Sequence, residues 1–320
     1  MKPGTEAPAV AGDGGTLLST PPELAAPAGH RSGFVLLFGR SNVGKSTLLN
    51  RLVGRKVAIV TEVPQTTRRR IRGIRTWPDA QAVYMDTPGI HRPRYTMNRR
   101  MVADAVAALE GIDLVLVLID GAAGLGPGDR FVIDLVAQRR APAIMVVNKT
   151  DLMAGPDVLR LLAEVAATHA WEEIIPISAT TGDNVERLES LILPRLPLGE
   201  RLYPPGEVTD TPEQAMLAEI LREKIILHTR EELPHSTAVL IESCTEKGGG
   251  TMHIDALVVV EKDSQKGILI GREGGMMKQV ASAARRDMEE LLQARVFLQV
   301  WVKVAPDWRM DERFLRRLGV

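Results

Sequence analysis

GFVLLFGRSNVGKSTLLNRLVG, residues 33–54, decides how the rest of the chain is read. Residues 33–38 form an unbroken apolar run, short enough for a buried strand. Residues 39–46 fit the pattern GxxxxGK[ST], and the apolar spacing after them suits a helix. Strand, loop and helix in that order turn a pattern into a mechanism. Gly39 and Gly44 let the backbone of Arg40, Ser41, Asn42 and Val43 wrap a phosphate without obstruction. The helix start adds partial positive charge. Lys45 is placed to reach the β- and γ-phosphates and Ser46 to hold Mg²⁺, with Thr47 completing the stretch. A Gly-rich turn without function is the bland alternative, and the flanking elements speak against it.

Outward from this loop, strands and helices alternate. Residues 69–77 and 81–85 read as a strand pair about a Pro78-Asp79 turn. Residues 112–119, 141–147 and 173–177 read as strands, and residues 127–140, 156–170 and 183–196 as helices. The pattern predicts an α/β P-loop domain, its sheet mostly parallel and covered by helices on both faces.

Motifs follow the strand ends. Asn148-Lys149-Thr150-Asp151 resembles the guanine-specificity motif of GTPases. The Asp151 carboxylate can accept from guanine's ring N–H and exocyclic amine, a donor pair that adenine lacks. An ATP-dependent enzyme is thereby disfavoured. Ser178-Ala179-Thr180 resembles the last nucleotide-contacting loop of GTPases, with a plain Ser/Thr turn as the alternative. Asp86-Thr87-Pro88-Gly89 fits DxxG, in which the carboxylate orders a Mg²⁺-bound water and the Gly amide senses the γ-phosphate. Between them lies Gln65-Thr66-Thr67-Arg68. A threonine here completes the Mg²⁺ shell; Thr67 is favoured, Thr66 is the alternative. The expected metal set is Ser46, Thr67 and Asp86, and the residues expected to act on the γ-phosphate are Lys45, Thr67 and Gly89. Ras-like proteins carry a glutamine just after DxxG, where this chain has Ile90 with His91 beyond. Slow intrinsic hydrolysis is expected, with the water placed by backbone, a cation or a partner. His91 reads as a base or, more simply, as a solvated loop residue.

The alternation stops at residues 194–212, where five prolines fall within nineteen positions, the mark of a linker that permits repositioning. Beyond it the order is α-β-β-α-α-β: helix 213–230, strands 236–246 and 251–261 about Gly248-Gly249-Gly250, a short helical turn at 265–270, helix 276–292 and strand 296–304. A last short helix covers 311–318. Ile270-Gly271-Arg272-Glu273-Gly274-Gly275 resembles the GxxG core of a KH domain, and the order of elements is that of its type II form. The turn lets the protein backbone approach a single-stranded RNA backbone, while Arg272 and Glu273 offer charge. Lys278, Arg285 and Arg286 on the next helix could meet phosphates, or be a solvated face. The expected divisions are a flexible tail (1–30), GTPase domain (31–196), linker (197–212), α+β type II KH domain (213–308) and C-terminal helix (309–320).

With both modules placed, the chain from about residue 32 to its end resembles the Era family of bacterial GTPases. PQTTRRRIRGI (64–74), MDTPGIH (85–91), LREKI (221–225), ELPHS (232–236), RRDMEELL (285–292) and LQVWVKV (298–304) carry the likeness. The resemblance implies GTP and GDP as ligands with Mg²⁺, and K⁺ near Asn42. It implies binding to the 3′ end of 16S ribosomal RNA, a role in small ribosomal subunit assembly and rRNA maturation, and no DNA. It also implies a cytoplasmic protein with peripheral contact at the inner membrane. Ser41 departs from the proline common at that place in the family. The Der family is the nearest neighbour in kind, but it carries two GTPase units and one P-loop is present here. A membrane-associated cell-cycle signalling GTPase, its KH domain serving protein interaction, is the alternative of a different class.

Composition sets the frame. At about 150 residues per domain, 320 residues predict two domains. Forty basic and forty acidic residues cancel, which argues against coating nucleic acid by bulk charge. The sum hides structure: residues 55–110 carry 11 basic and 5 acidic residues, residues 207–255 carry 4 and 10, and residues 262–320 carry 12 and 8. The basic run Arg68-Arg69-Arg70, with Arg72 and Arg75, reads equally as an RNA-facing patch or a solvated strand edge. The single cysteine, Cys244, excludes an internal disulfide and reads as a small apolar strand residue in a reducing compartment. No secretory signal or membrane-length apolar run is evident.

Overall fold

The computed structural model describes residues 24–63, 66–90, 96–139, 141–229 and 233–319. His91 and most of the expected tail lie outside these residues. The first domain is built from β1 (Arg31–Gly39), α1 (Lys45–Val53), β2 (Ile71–Thr76), β3 (Ala80–Asp86), α2 (Thr96–Ala107), β4 (Leu114–Asp120), α3 (Pro127–Arg139), β5 (Ala143–Asn148), α4 (Gly155–Ala166), β6 (Glu173–Pro176) and α5 (Val185–Ile192). Its sheet runs β2-β3-β1-β4-β5-β6, with β2 antiparallel to β3 and the other pairs parallel.

Alternation explains the continuous apolar strands. Val35 and Leu37 of β1 pack toward α1 and α5, while Leu36 and Phe38 pack toward α2, α3 and α4. Chain order reverses at β1, which lies between β3 and β4. Ligands of open α/β sheets bind outside the carboxyl ends of the strands at such a point. The motifs after β1, β3, β5 and β6 all lie at that end.

The segment after residue 196 is bonded down rather than free. The buried Gln81 amide accepts from the Leu202 and Tyr203 amides at 2.7 and 2.9 Å and donates to Tyr203 O at 2.9 Å. Ile74 N donates to Val208 O at 2.9 Å, and Arg72 pairs with Asp210 at 2.5 Å. Proline content predicted a spacer; a buried amide in β3 that needs partners makes it a strap.

The second domain contains α6 (Glu213–His228), α7 (Leu233–Ser236), β7 (Ala238–Lys247), β8 (Thr251–Val260), α8 (Asp263–Ile270), α9 (Gly275–Leu292), β9 (Arg295–Val304) and α10 (Glu312–Leu318). β8 pairs antiparallel with β7 and parallel with β9, so β9 is an edge. Leu217, Leu221 and Ile225 of α6 and Val280, Ala284 and Met288 of α9 pack on Ile254, Ala256 and Val258 of β8. Cys244 lies half-buried against this core. Trp308 and Leu315 cover one end of the opposite sheet face, over Ala238 and Val259. Among the described residues, no helix is long and apolar enough to cross a membrane.

Candidate functional site

Left-handed backbone at Asn42 (φ 64°) and Gly44 (φ 96°) bends the loop between β1 and α1. Gly44 has no room for a side chain, since a Cβ would stand 2.1 Å from Asn148 Nδ2. No side chain caps α1, which leaves its first amides for an anion. Gly44, Lys45, Ser46 and Thr47 line a cavity of about 850 Å³. Lys45 is only 6% exposed and folds back onto Arg40 O at 2.7 Å and Gly39 O at 3.2 Å. Burial lowers its ammonium to about 8, against the pull of Asp86.

The three residues expected at the metal meet. Ser46 Oγ donates to Asp86 Oδ2 at 2.6 Å, Thr67 Oγ1 donates to the same oxygen at 3.2 Å, and the two hydroxyls lie 3.0 Å apart. Thr66 turns away, with Thr61 Oγ1 and Val63 O each 2.6 Å from its hydroxyl. Burial pushes the Asp86 carboxyl up, opposed by Lys45, Ser46, Thr67 and the Thr87 amide. Asp86 Oδ1 is buried with no hydrogen bond among the described residues. An all-oxygen set with a buried carboxylate oxygen to spare fits Mg²⁺.

At the other end, Asn148 clips three segments together. Its Nδ2 donates to Val43 O at 2.8 Å and its Oδ1 accepts from Ala179 N at 2.9 Å. Lys149 pairs with Asp120 at 2.6 Å and lines the cavity. Asp151 stands exposed in a short turn after β5. Ser178 is buried, and its hydroxyl accepts from Thr181 N at 3.1 Å, so here it holds a turn. Asn42 Nδ2 donates to Glu62 O at 2.6 Å.

Several expected contacts are not brought to the cavity by their side chains. Arg40 reaches instead to Asp129 at 2.7 Å. Thr87 donates to Leu37 O at 3.1 Å, and Pro88 is buried beside it. Ile90 packs in the core while its amide donates to Gly39 O at 3.1 Å. Gly89 does line the cavity, and a Cβ there would meet Ser41 N and Oγ at 2.5 Å.

Sequence reasoning did not find that the second domain closes this cavity. Ile226 and Leu227 of α6 line it. The segment bearing Thr67 is gripped on both sides. Arg222 of α6 donates to Thr66 O and is held by Glu219 at 2.9 Å. Burial alone would raise the Glu219 carboxyl, but Arg222, Arg69 and Arg68 hold it low. Arg68, itself buried, donates to Thr237 O at 2.7 Å and Pro234 O at 3.2 Å, and lies 5.7 Å over the Trp308 ring. Lys56 reaches Glu223 at 2.6 Å, and Glu223 also accepts from Val60 N at 3.1 Å. The basic run is therefore neither an RNA patch nor a solvated edge throughout. Arg68 joins the domains, Arg72 ties down the strap and Arg75 lies over Trp77.

In the second domain, Gly271 (φ 74°) and Gly274 (φ 77°) flank the exposed Arg272 and Glu273. Gly271 is needed because a Cβ would stand 2.6 Å from Met276 Cβ. Beside this turn Gly275, Lys278, Ser282 and Arg286 of α9, with His228, line a groove of about 590 Å³. Arg286 and not Arg285 shares that groove with Lys278; Arg285 pairs with Glu289 at 2.9 Å. The two arginines are neighbours in sequence but about 100° apart around the helix.

Residues 34–149 match the family model described as 50S ribosome-binding GTPase, and residues 232–309 match that of the KH domain. The chain is 47% identical to GTPase Era of Geobacter metallireducens over 290 residues, 90% of this chain and 97% of that one. It is 44% identical to GTPase Era of Heliobacterium modesticaldum over 289 residues, with the same coverage. Among solved structures it resembles Era in complex with MgGDPNP and nucleotides 1506–1542 of 16S ribosomal RNA, with a TM-score of 0.88 and 38% identity over 91% of this chain and 99% of that one. It is equally similar, with a TM-score of 0.88, to a variant of Aquifex aeolicus Era bound to GDP·AlF4⁻, covering 90% of this chain and 99% of that one.

Proposed function

The chain belongs to the Era family of GTPases, and from that membership we propose how its residues divide the work of a GTP-hydrolysing switch that binds the 3′ end of 16S ribosomal RNA. The observation that carries the reading is the meeting of Ser46, Thr67 and Asp86 at one oxygen below the start of α1, in a cavity that α6 also closes. Loop amides 40–47 and Lys45 hold the phosphates. Ser46, Thr67 and Asp86 hold Mg²⁺, which when bound offsets charge on the β- and γ-phosphates. The Gly89 amide donates to the γ-phosphate. Asp151 reads guanine, Lys149 and Ala179 bound its pocket, and Asn148 keeps these segments in register. Ile90 stands where Ras-like proteins carry a glutamine to orient the attacking water, and slow intrinsic turnover follows from that. Asn42 Oδ1 is left for a monovalent cation such as K⁺.

RNA lies along the groove from the turn 271–274 past Lys278 to Arg286, where glycines admit the strand and cations meet its phosphates. The likeness to an RNA-bound Era supports this, and the proposal extends to small-subunit assembly and rRNA maturation, in the cytoplasm with peripheral contact at the inner membrane. In the double variant Arg272→Ala/Lys278→Ala, affinity for a single-stranded copy of the 16S 3′ end falls about tenfold or more at fixed salt, and the salt dependence flattens. Unchanged affinity assigns the turn a structural role only.

GTP and RNA are coupled through Arg68 and Arg222, which tie the neighbours of Thr67 to the second domain. In the native chain RNA shifts GTP affinity, within the range of about 5- to 150-fold usual for coupled sites. In Arg68→Ala that shift collapses to about twofold. Nucleotide titrations with and without RNA measure it; a native-sized shift in the variant refutes the route.

A further inference from the structure

The outer face of the second sheet carries chemistry that the GTPase reading does not use. Along β9, Val296, Leu298, Val300 and Val302 pack against the core. The alternate residues Arg295, Phe297, Gln299, Trp301 and Lys303 are exposed. Phe297 is 53% and Trp301 55% exposed, and His253 of β8 lies beside Phe297 with ring centroids 4.9 Å apart. Trp308, Phe314 and Leu315 cover the far end of this face and leave these two aromatics open.

Two half-exposed aromatics four residues apart on a strand stand about 13 Å apart. Gln299 separates them and Arg295 and Lys303 end the row, so the face alternates π-surface with polar and cationic groups. A protein-binding patch would be contiguous and apolar. Interleaved aromatic and cationic groups match a single strand of nucleic acid, whose bases stack and whose phosphates need cations. Asp255, opposite Gln299 in the sheet, is occupied by Ser243 Oγ at 2.6 Å.

The face and the groove are brought near each other along α9, where Ser282 lines the groove and Arg285 the depression beside the face. Lys278, Ser282 and Arg285 follow one another at three- and four-residue spacing along α9. A depression of about 820 Å³ where α9 meets β9 is lined by Arg285, Arg295 and Phe297, together with Glu289 and Glu290. We propose that Phe297 and Trp301 are a second RNA surface, on which unpaired bases beyond the segment held at the turn stack, with Arg295 and Lys303 on their phosphates. The inference rests on RNA binding at the turn, and the test separates the two.

Binding of the full chain to single-stranded RNA of about 6 and about 16 nucleotides, both carrying the 16S 3′-end sequence, is measured at fixed salt. In Phe297→Ala/Trp301→Ala, affinity for the longer RNA falls about 10- to 100-fold and for the shorter stays within about twofold. Trp301→Phe retains most of the affinity, and Lys303→Ala lowers the salt slope by about one. GTP hydrolysis without RNA is unchanged. Equal affinities of variant and native chain for the longer RNA overturn the proposal, as does an equal loss for both lengths. If the double variant instead abolishes self-association of the native chain in sedimentation and leaves RNA affinity intact, the face is a protein contact and the proposal falls. Failure of the native chain to bind either RNA removes the turn reading first and this one with it.

Discussion

Asp151→Asn exchanges guanine for xanthine preference. The carboxylate accepts two hydrogen bonds from guanine, and an amide offers one acceptor and one donor. The donor then faces guanine's own amine, leaving polar groups unpaired where the bound base covers them. Sites built on such a pair discriminate by as much as 10⁴–10⁵, and a loss of GTP affinity of about 10³-fold is expected. Xanthine carries an oxygen where guanine carries the amine, so xanthosine triphosphate gains what GTP loses. Asp151 is exposed, and the change leaves stability within about 0.5 kcal/mol. Competition binding with the two nucleotides, alongside thermal melting, measures both. Retained guanine preference sinks the assignment.

Lys45→Met separates function from stability. The ammonium is buried, held by two loop carbonyls, and lowered from 10.5 to about 8. A drop of that size corresponds to about 3 kcal/mol against the charged form. Replacing it with an unbranched apolar chain removes that penalty but leaves Asp86 without its cation. The net expectation for the nucleotide-free protein is a gain of about 1 kcal/mol, or roughly 2–4 °C in melting temperature. Nucleotide affinity falls by about 10³-fold, since the main cation at the phosphates is gone. The pH dependence follows. Between about 8 and 10.5 the unfolded chain keeps a proton that the folded chain has released. From this group, native stability therefore rises with pH across that window, while GTP affinity of the empty site falls. In Lys45→Met the share of each slope that comes from this group vanishes, so both become shallower. Melting and nucleotide titration at pH 7 and 9 test this, and a native-like slope in the variant would refute it.

The sheet and the places of four nucleotide motifs were legible because each of these follows a buried strand, and burial on both faces leaves an unmistakable apolar run. α2 was not anticipated. The stripe it and the following turn bury mixes Ala105 and Ala108 with Val102, Val106 and Leu109, and the alanines dilute its periodic signal. The strap was misjudged because Gln81 reads as an ordinary polar strand residue until its burial is known. The choice between Arg285 and Arg286 is a matter of helix phase that a charge count does not resolve. The contacts across the domains were hidden most completely. Arg68 stands first of three consecutive arginines, a pattern that ordinarily means solvent, and only the fold turns it into the cleft beside Trp308.

The strap gives α6 a mechanical character. Residues 202–210 are fastened to β2 and β3, and Thr211 is bonded to Thr209, so the chain leaves the first domain at Pro212, just before α6. From there to Leu227, at the edge of the nucleotide cavity, the helix runs for about 22 Å. It is a lever with its fulcrum at the proline and its working tip over the phosphates' neighbourhood. A tilt of about 10° carries that tip about 4 Å, roughly the width of one side chain. The length of α6 thus sets how far a small rotation at Pro212 displaces Leu227 at the cavity edge.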